Sequence, residues 1–410
     1  MPNTITETKP QTKFDLEAIQ QALRENKVDG WLFYDHHHRD PLAYSILGLD
    51  PNAFVTRRWY YYIPSGGGVP QKLVHRIESG RLDSLPGEKT EYSSWQELEQ
   101  KLEGILLGSE KIAMQYSPRN ANMYVSMVDA GTIELLRDMG MQIVTSADLV
   151  SQFEAVLTDA QLATHYVAQK AVDEVLDAAW KEMGNRARNG GTDEFAMMQY
   201  LREGLGRANL VWDHGPNVSA GPNSADSHYD PTPASSRPIR KGDFVLIDIW
   251  GKLANDPNAV WYDITWTGVV GREPTEREQL IFNTVRNARD ASIKAVQDAF
   301  ASNTPIAGYQ ADDAGRNLIR KAGFGDWFTH RTGHNIGTEI HGNGAHLDNL
   351  ETHDERLILP NTCFSVEPGL YFPGAASDPN AFGVRSEVDM IARKGKAEVT
   401  GRIQTELVRA

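Results

Sequence analysis

The sequence predicts an α+β chain in two domains, a smaller α/β domain over 14–150 and a larger α+β domain over 155–405. Strand-like and helix-like runs alternate through the first domain, the pattern of a sheet covered by helices. In the second, two helical runs followed by strand-like runs occur twice. That order predicts a pseudo-symmetric domain with its site between the halves, although no sequence identity between the halves is visible.

Within the first domain DGWLFYD (29–35) and the aromatic RRWYYYIP (57–64) read as strands. QKLVHRI (71–77) reads as a third, after a turn marked by Gly66 to Gly68. SWQELEQKLEGILLG (94–108) is an amphipathic helix ending at Gly108, KIAMQYS (111–117) another strand, and Thr132 to Met139 another helix. The second domain opens with a long helix capped by Thr158 and followed by Asp159, with Leu162, Tyr166, Val172, Leu176 and Ala179 on one face. A second helix follows Thr192 and Asp193, and a turn-rich stretch runs from His214 to Pro238. The later half offers a helix over 275–302 with Ile281, Val285, Ile293, Val296 and Phe300 inward, and one over about 309–322.

Composition narrows the function classes. A chain of 410 residues with 40% hydrophobic and 23% charged residues is ordinary for a globular protein. The formal charge of −14, with no basic patch, argues against unspecific nucleic-acid binding. The single cysteine, Cys363, cannot form an intrachain disulfide and reads as a buried structural thiol in a reducing compartment. The polar N-terminus MPNTITETKPQTKFD lacks the apolar core of a signal peptide, and no run is long enough to span a bilayer. A cytoplasmic protein without a membrane partner is expected.

Five candidate metal ligands follow one another down the second domain, on strand-like runs. Asp248 stands in VLIDIWG, Asp263 in WYDITWTG, His334 in HRTGHNIG, Glu367 in SVEPGLY and Glu387 in GVRSEVDM. A carboxylate inside an apolar run needs a partner, because burying an unpaired charge is expensive. An arginine or a helix N-terminus would serve one such residue; four carboxylates and one imidazole are the inventory for two hard or borderline divalent cations. Such a pair makes water nucleophilic at neutral pH, which points to a hydrolase.

The order and contexts of these five residues resemble the pita-bread metallopeptidases, the family of methionine aminopeptidase, aminopeptidase P and prolidase. The resemblance covers essentially the whole chain, and the first domain is similar to the creatinase-type domain of the aminopeptidase P and prolidase branch. It implies a pita-bread catalytic domain in which Asp248 chelates one metal, Asp263 and Glu387 bridge the two, and His334 and Glu367 complete the second. AGPNSADSHYDPT resembles the loop that places a histidine, here His228, at the mouth of the site. His341, seven positions after His334, matches the second histidine of the signature and implies a contact with the scissile peptide. His330 matches a histidine of the substrate pocket. Arg385 matches an arginine supporting substrate or metal site, with an ion pair to a ligand carboxylate as its structural alternative. Glu367 is also implied as a proton shuttle to the leaving nitrogen.

Three positions depart from the family pattern. GHNIG puts Asn335 beside the metal histidine, ITWT puts Trp266 where an arginine often sits, and KLANDPNA (252–259) lengthens the connection between Asp248 and Asp263. The run His36 to His38 reads as a polar loop after a strand. Trp59 to Tyr62 reads as strand packing or a dimer contact, and no nucleotide-binding glycine motif has a suitable context.

What the resemblance implies is a dinuclear metal-dependent exopeptidase cleaving the Xaa-Pro bond of short peptides, dipeptides first, in a homodimer. The alternative within the branch is an Xaa-Pro aminopeptidase acting on longer peptides. A metal-free creatinase-like hydrolase and a non-catalytic binding module share the fold, and the complete ligand set argues against both. Ligand hardness favours manganese, with zinc, cobalt or iron as the other candidates.

Overall fold

The computed structural model describes residues 14–375, 378 and 380–410. Most of the polar N-terminal stretch therefore lies outside the described residues. The chain divides into two compact units, Met1–Glu154 and Ala155–Ala410.

The first unit runs α1 (Leu16–Glu25), β1 (Gly30–Asp35), α2 (Pro41–Leu47), β2 (Trp59–Pro64), β3 (Gln71–His75), β4 (Glu88–Tyr92), α3 (Trp95–Leu106), β5 (Lys111–Met114), α4 (Ala130–Asp138), β6 (Gln142–Thr145) and α5 (Ala147–Glu154). Its mixed sheet has the order β4-β3-β2-β1-β5-β6. Helices cover both faces, so central strands need apolar residues at every position. Trp31 and Phe33 join one core and Leu32 and Tyr34 the other. The run Trp59 to Tyr62 is split likewise, Trp59 and Tyr61 to one face and Tyr60 and Tyr62 to the other, all four buried. These aromatics are strand packing and leave no surface for a dimer contact. After β1 the Asp35 carboxylate accepts the backbone N–H groups of His38, Arg39 and Asp40 and the Tyr44 hydroxyl, which fixes the polar loop His36 to His38.

The second unit begins with α6 (Asp159–Arg188), β7 (Thr192–Asp193), α7 (Glu194–Arg207), β8 (Leu210–Val211), β9 (Asn217–Ala220), β10 (Pro238–Ile239), β11 (Phe244–Leu253) and β12 (Tyr262–Val269). It continues through α8 (Glu276–Ala301), α9 (Gly308–Lys321), β13 (Asn335–Ile336), β14 (Cys363–Val366), β15 (Gly369–Phe372), β16 (Phe382–Arg385), β17 (Val388–Arg393), β18 (Lys396–Thr400) and β19 (Val408–Arg409). Thr158 and Thr275 open α6 and α8 through capping boxes with Gln161 and Glu278, which satisfy backbone donors that a helix start leaves free. Of the predicted α6 stripe, Leu162, Val172, Leu176 and Ala179 are buried, each large one stabilising the fold by about 1.5–3 kcal/mol. Tyr166 is not: it turns outward and donates to Glu398, and His165 takes the buried position.

Two sheets carry the ligand-bearing strands. One has the order β19-β12-β11-β8 with β9 added on β11, the other β13-β14-β17-β18. Among the described residues, no helix is long and apolar enough to cross a membrane.

Candidate metal centre

Register places the first two candidate ligands. In the antiparallel β11–β12 pair Asp248 opposes Thr265 and Asp263 opposes Trp250, so Asp248, Asp263 and Thr265 share one face. Glu387 lies between β16 and β17 and donates its backbone N–H to the Thr265 carbonyl, 3.2 Å away. The Thr265 hydroxyl is 2.6 Å from Glu387 Oε2 and 2.8 Å from Asp248 Oδ1, and it accepts Arg385 Nε at 2.9 Å. One hydroxyl proton serves the two carboxylates, so Thr265 ties both to the same point.

The other two ligands meet on Ser365. They are set at strand ends rather than within strands: Glu367 follows β14, and His334 precedes the two-residue β13. Ser365 Oγ accepts the His334 backbone N–H at 2.9 Å and donates to Glu367 Oε1 at 3.0 Å. His334 Nδ1 lies 3.3 Å from the Asn335 carbonyl, the partner for an N–H there, which turns the lone pair of Nε2 towards the carboxylates. Nε2 is 3.4 Å from Glu367 Oε1 and 3.8 Å from Asp263 Oδ2. Ligand atoms of Asp263, His334 and Glu387 all lie within 4.8 Å of one another.

Electrostatics show what the arrangement calls for. Burial pushes the Asp263 and Glu387 carboxyls well above the usual range, with repulsion from Asp248 and Glu367 adding to both and from Asp263 adding to Glu387. Asp248 is also raised by burial, with the Arg385 guanidinium pulling the other way. Burial and the Arg331 charge hold His334 down to about 3. Asp263 Oδ1 and Glu387 Oε1 are buried without a hydrogen-bond partner. Buried carboxylates with orphaned oxygens call for cations, and the oxygens already engaged keep a second lone pair to offer. The donor set therefore fits divalent metal.

The remaining predicted residues fall differently. His341 joins the centre, its ring centroid 4.3 Å from that of His334. His228 does not: it is exposed, its backbone N–H donates to Asp226, and its ring is hydrogen-bonded to none of the five ligands. His330 has both nitrogens engaged, Nδ1 with the Arg331 carbonyl at 2.6 Å and Nε2 with the Tyr371 hydroxyl at 2.8 Å. Arg385 is buried against Asp248 through Nη2, with Nε 3.8 Å from Glu367 Oε2, so it forms the ion pair with ligand carboxylates. Trp266 faces away from the ligands and stacks under Arg402, 4.7 Å from its ring centroid.

Three residues escaped the sequence reading. Thr265 was detectable, since two positions after Asp263 on a strand means the same face. Ser365 relates to Glu367 by the same spacing. Arg331, whose charge acts on both His334 and His341, had no such signal.

A second grouping, His165, Cys363 and Asp389, lies buried in this unit. The His165 nitrogens face the Trp261 carbonyl at 2.6 Å and the Thr400 hydroxyl at 2.8 Å, which leaves no ring lone pair for a cation. Burial holds the Cys363 thiol well above its ordinary range, as a packed, inert group.

Known proteins resemble the chain in the same region. The model of metallopeptidase family M24 matches residues 164–394, more than half the chain. A Mycoplasma pneumoniae protein provisionally named Xaa-Pro aminopeptidase is 30% identical over 212 residues, 51% of this chain and 53% of that protein. The chain thus spans about half the length of that relative, and 45% of its Mycoplasma genitalium counterpart. The Xaa-Pro dipeptidase of Pyrococcus horikoshii is 26% identical over 401 residues, covering 96% of this chain and 98% of that one. The crystal structure of dipeptidase PepE from Mycobacterium ulcerans superposes with a TM-score of 0.66 at 20% identity over 96% of each chain, a likeness of fold alone. The fold is the pita-bread fold, and the family match encloses all five candidate ligands. The chain belongs to metallopeptidase family M24.

Proposed function

We propose that the protein is a metal-dependent exopeptidase that cleaves the Xaa-Pro bond of short peptides, dipeptides before longer ones. The observation that carries this reading is the convergence of the half-buried Asp248 and Glu367 on the buried Asp263, His334 and Glu387, with orphaned oxygens on Asp263 and Glu387. Two divalent cations bound there supply activation of water and polarisation of the scissile carbonyl. Donor hardness supports manganese. Glu367 takes a proton and delivers it to the leaving imino nitrogen. His341, ring to ring with His334, stabilises charge developing on the carbonyl oxygen. His228 acts from the exposed loop between Asp226 and Asp230, and His330 shapes the proline pocket with Tyr371. Proline requires a dedicated pocket because its nitrogen offers no N–H and its ring fixes φ. Arg385 holds Asp248 and Thr265 in place.

The same proposal includes a cytoplasmic homodimer with a creatinase-type domain over 14–150 and the catalytic domain over 155–405. The single buried cysteine supports a reducing compartment. The name of the Mycoplasma relatives supports the second reading, an Xaa-Pro aminopeptidase acting on longer peptides.

Chelation is expected to abolish hydrolysis of Xaa-Pro substrates, and manganese or a similar divalent ion to restore it. Full turnover by protein shown to be metal-free by elemental analysis overturns the mechanism.

A further inference from the structure

His341 is placed without help from its own ring. Among the described residues no hydrogen bond reaches either imidazole nitrogen, and the residue is exposed. Where the ring stands therefore depends on the backbone of the segment 337–344. Two of the chain's departures from the family pattern converge on that segment.

From the inner side, Asn335 fastens it. Its side chain is buried, donates from Nδ2 to the Cys363 carbonyl on β14 at 2.9 Å, and accepts the Gly344 N–H on Oδ1 at 2.9 Å. Its carbonyl accepts the Gly342 N–H at 2.8 Å. The fit is close: a Cβ on Gly342 would fall 2.3 Å from Asn335 Oδ1, and one on Gly344 would fall 2.7 Å from Asn335 Cγ. Glycine on both sides of Asn343 is what lets the amide sit there.

From the outer side, the ends of the lengthened β11–β12 connection hold it. Trp261 donates its backbone N–H to the Gly337 carbonyl at 3.1 Å and its indole N–H to the Thr338 carbonyl at 2.9 Å. Lys252 Nζ reaches the same Thr338 carbonyl at 2.7 Å while lying 4.9 Å from the Trp261 ring centroid.

We propose that Asn335, Lys252 and Trp261 are positioning residues that clamp the segment 337–344 from two sides and so set His341 beside His334. The inference rests on the reading that His341 acts on the scissile peptide. Asn335 closes the loop onto β14, and the Lys252–Trp261 pair fixes its opening turn. Neither touches substrate.

A double-mutant cycle on the full-length, metal-loaded protein tests it, with kcat and KM on an Xaa-Pro dipeptide, bound metal per chain and Tm as readouts. Asn335→Ala should lower kcat about tenfold or more with metal content unchanged, since loss of positioning acts on turnover. Lys252→Met, at a half-buried site less prone to disturb folding, should lower it by about three- to tenfold. In a His341→Ala background neither change should cost anything further. Unaltered kcat in both single variants overturns the inference. So does an equal loss in the His341→Ala background, which marks a merely structural role. Unaltered kcat for His341→Ala alone overturns the underlying reading of His341, and is recognisable because it needs neither anchor variant.

Discussion

Asp263 and Glu387 are held side by side in a nearly dry site, and the fold opposes that arrangement in the absence of cations. Burial and neighbouring carboxylates raise the pKa of both, each keeps an orphaned oxygen, and Arg385 is committed to Asp248. Function and stability therefore pull in opposite directions at Glu387. Glu387→Gln keeps an oxygen for the Thr265 hydroxyl but removes the charge. It is expected to lose metal and to cut kcat/KM by at least about a thousandfold, as removal of a central electrostatic element does. In chelated protein the same substitution should raise Tm, because relieved repulsion contributes about 1–3 kcal/mol. Calorimetry on chelated wild type and variant checks this, and a lower Tm for the variant contradicts it. The five candidate ligands were legible in the sequence because an acid within VLIDIWG or SEVDM has no cheap structural excuse. The groups that aim them were not, since a hydroxyl such as Thr265 or Ser365 is unremarkable in any strand. Arg385 forms the ion pair that the sequence offered as one of its two readings, while His228 stands exposed on its loop.

Elements were readable where burial was one- or two-sided in a clean way. The strands β1 and β2 announced themselves as unbroken apolar runs because both faces are covered. Edge strand β4, EKTEY, gave no such signal, since only Tyr92 is buried. Helix α2 has a titratable feature that propensity could not reveal. Its N-cap, Asp40, accepts the Ala43 N–H on Oδ1 at 3.0 Å while Oδ2 is buried and unpartnered. Burial, reinforced by the charges of Asp35 and Glu154, raises its pKa from 3.8 to about 7 against the pull of the Ala43 bond. The folded state therefore holds a proton that the unfolded chain releases, so stability falls as pH rises from about 4 to about 7 and stays lower above that. An asparagine at this N-cap would serve equally well without the charge. Asp40→Asn should match or trail wild type near pH 4 and exceed it near pH 8, by up to a few kcal/mol at about 1.4 kcal/mol per pKa unit. Denaturant unfolding at the two pH values measures the gap, and a pH-independent difference contradicts the assignment.

At the scale of the molecule, the order of ligands down the chain disclosed the architecture, because strands distant in sequence must converge to bring Asp248, His334 and Glu387 together. What order could not disclose is substrate length. A dipeptidase must hold a free carboxylate one residue beyond the scissile bond, whereas an aminopeptidase leaves that direction open to more chain. His330 and Arg385 are the residues that the sequence resemblance places at the substrate. His330 has both nitrogens occupied, and Arg385 is bound to Asp248 and Thr265. Arg331 is the cation whose charge is felt at both His334 and His341, close enough to lower the pKa of each. A substrate carboxylate paired with a cation gains more in a buried setting than in an open, wet one. Dipeptides of the form Xaa-Pro should therefore be cleaved with a higher kcat/KM than Xaa-Pro-Yaa-Zaa. The preference should weaken at high salt if the recognition is electrostatic and partly exposed. Faster cleavage of the tetrapeptide would replace the dipeptidase with the aminopeptidase reading. Equal rates on non-proline controls would remove the proline pocket itself, leaving a metallopeptidase of broader specificity.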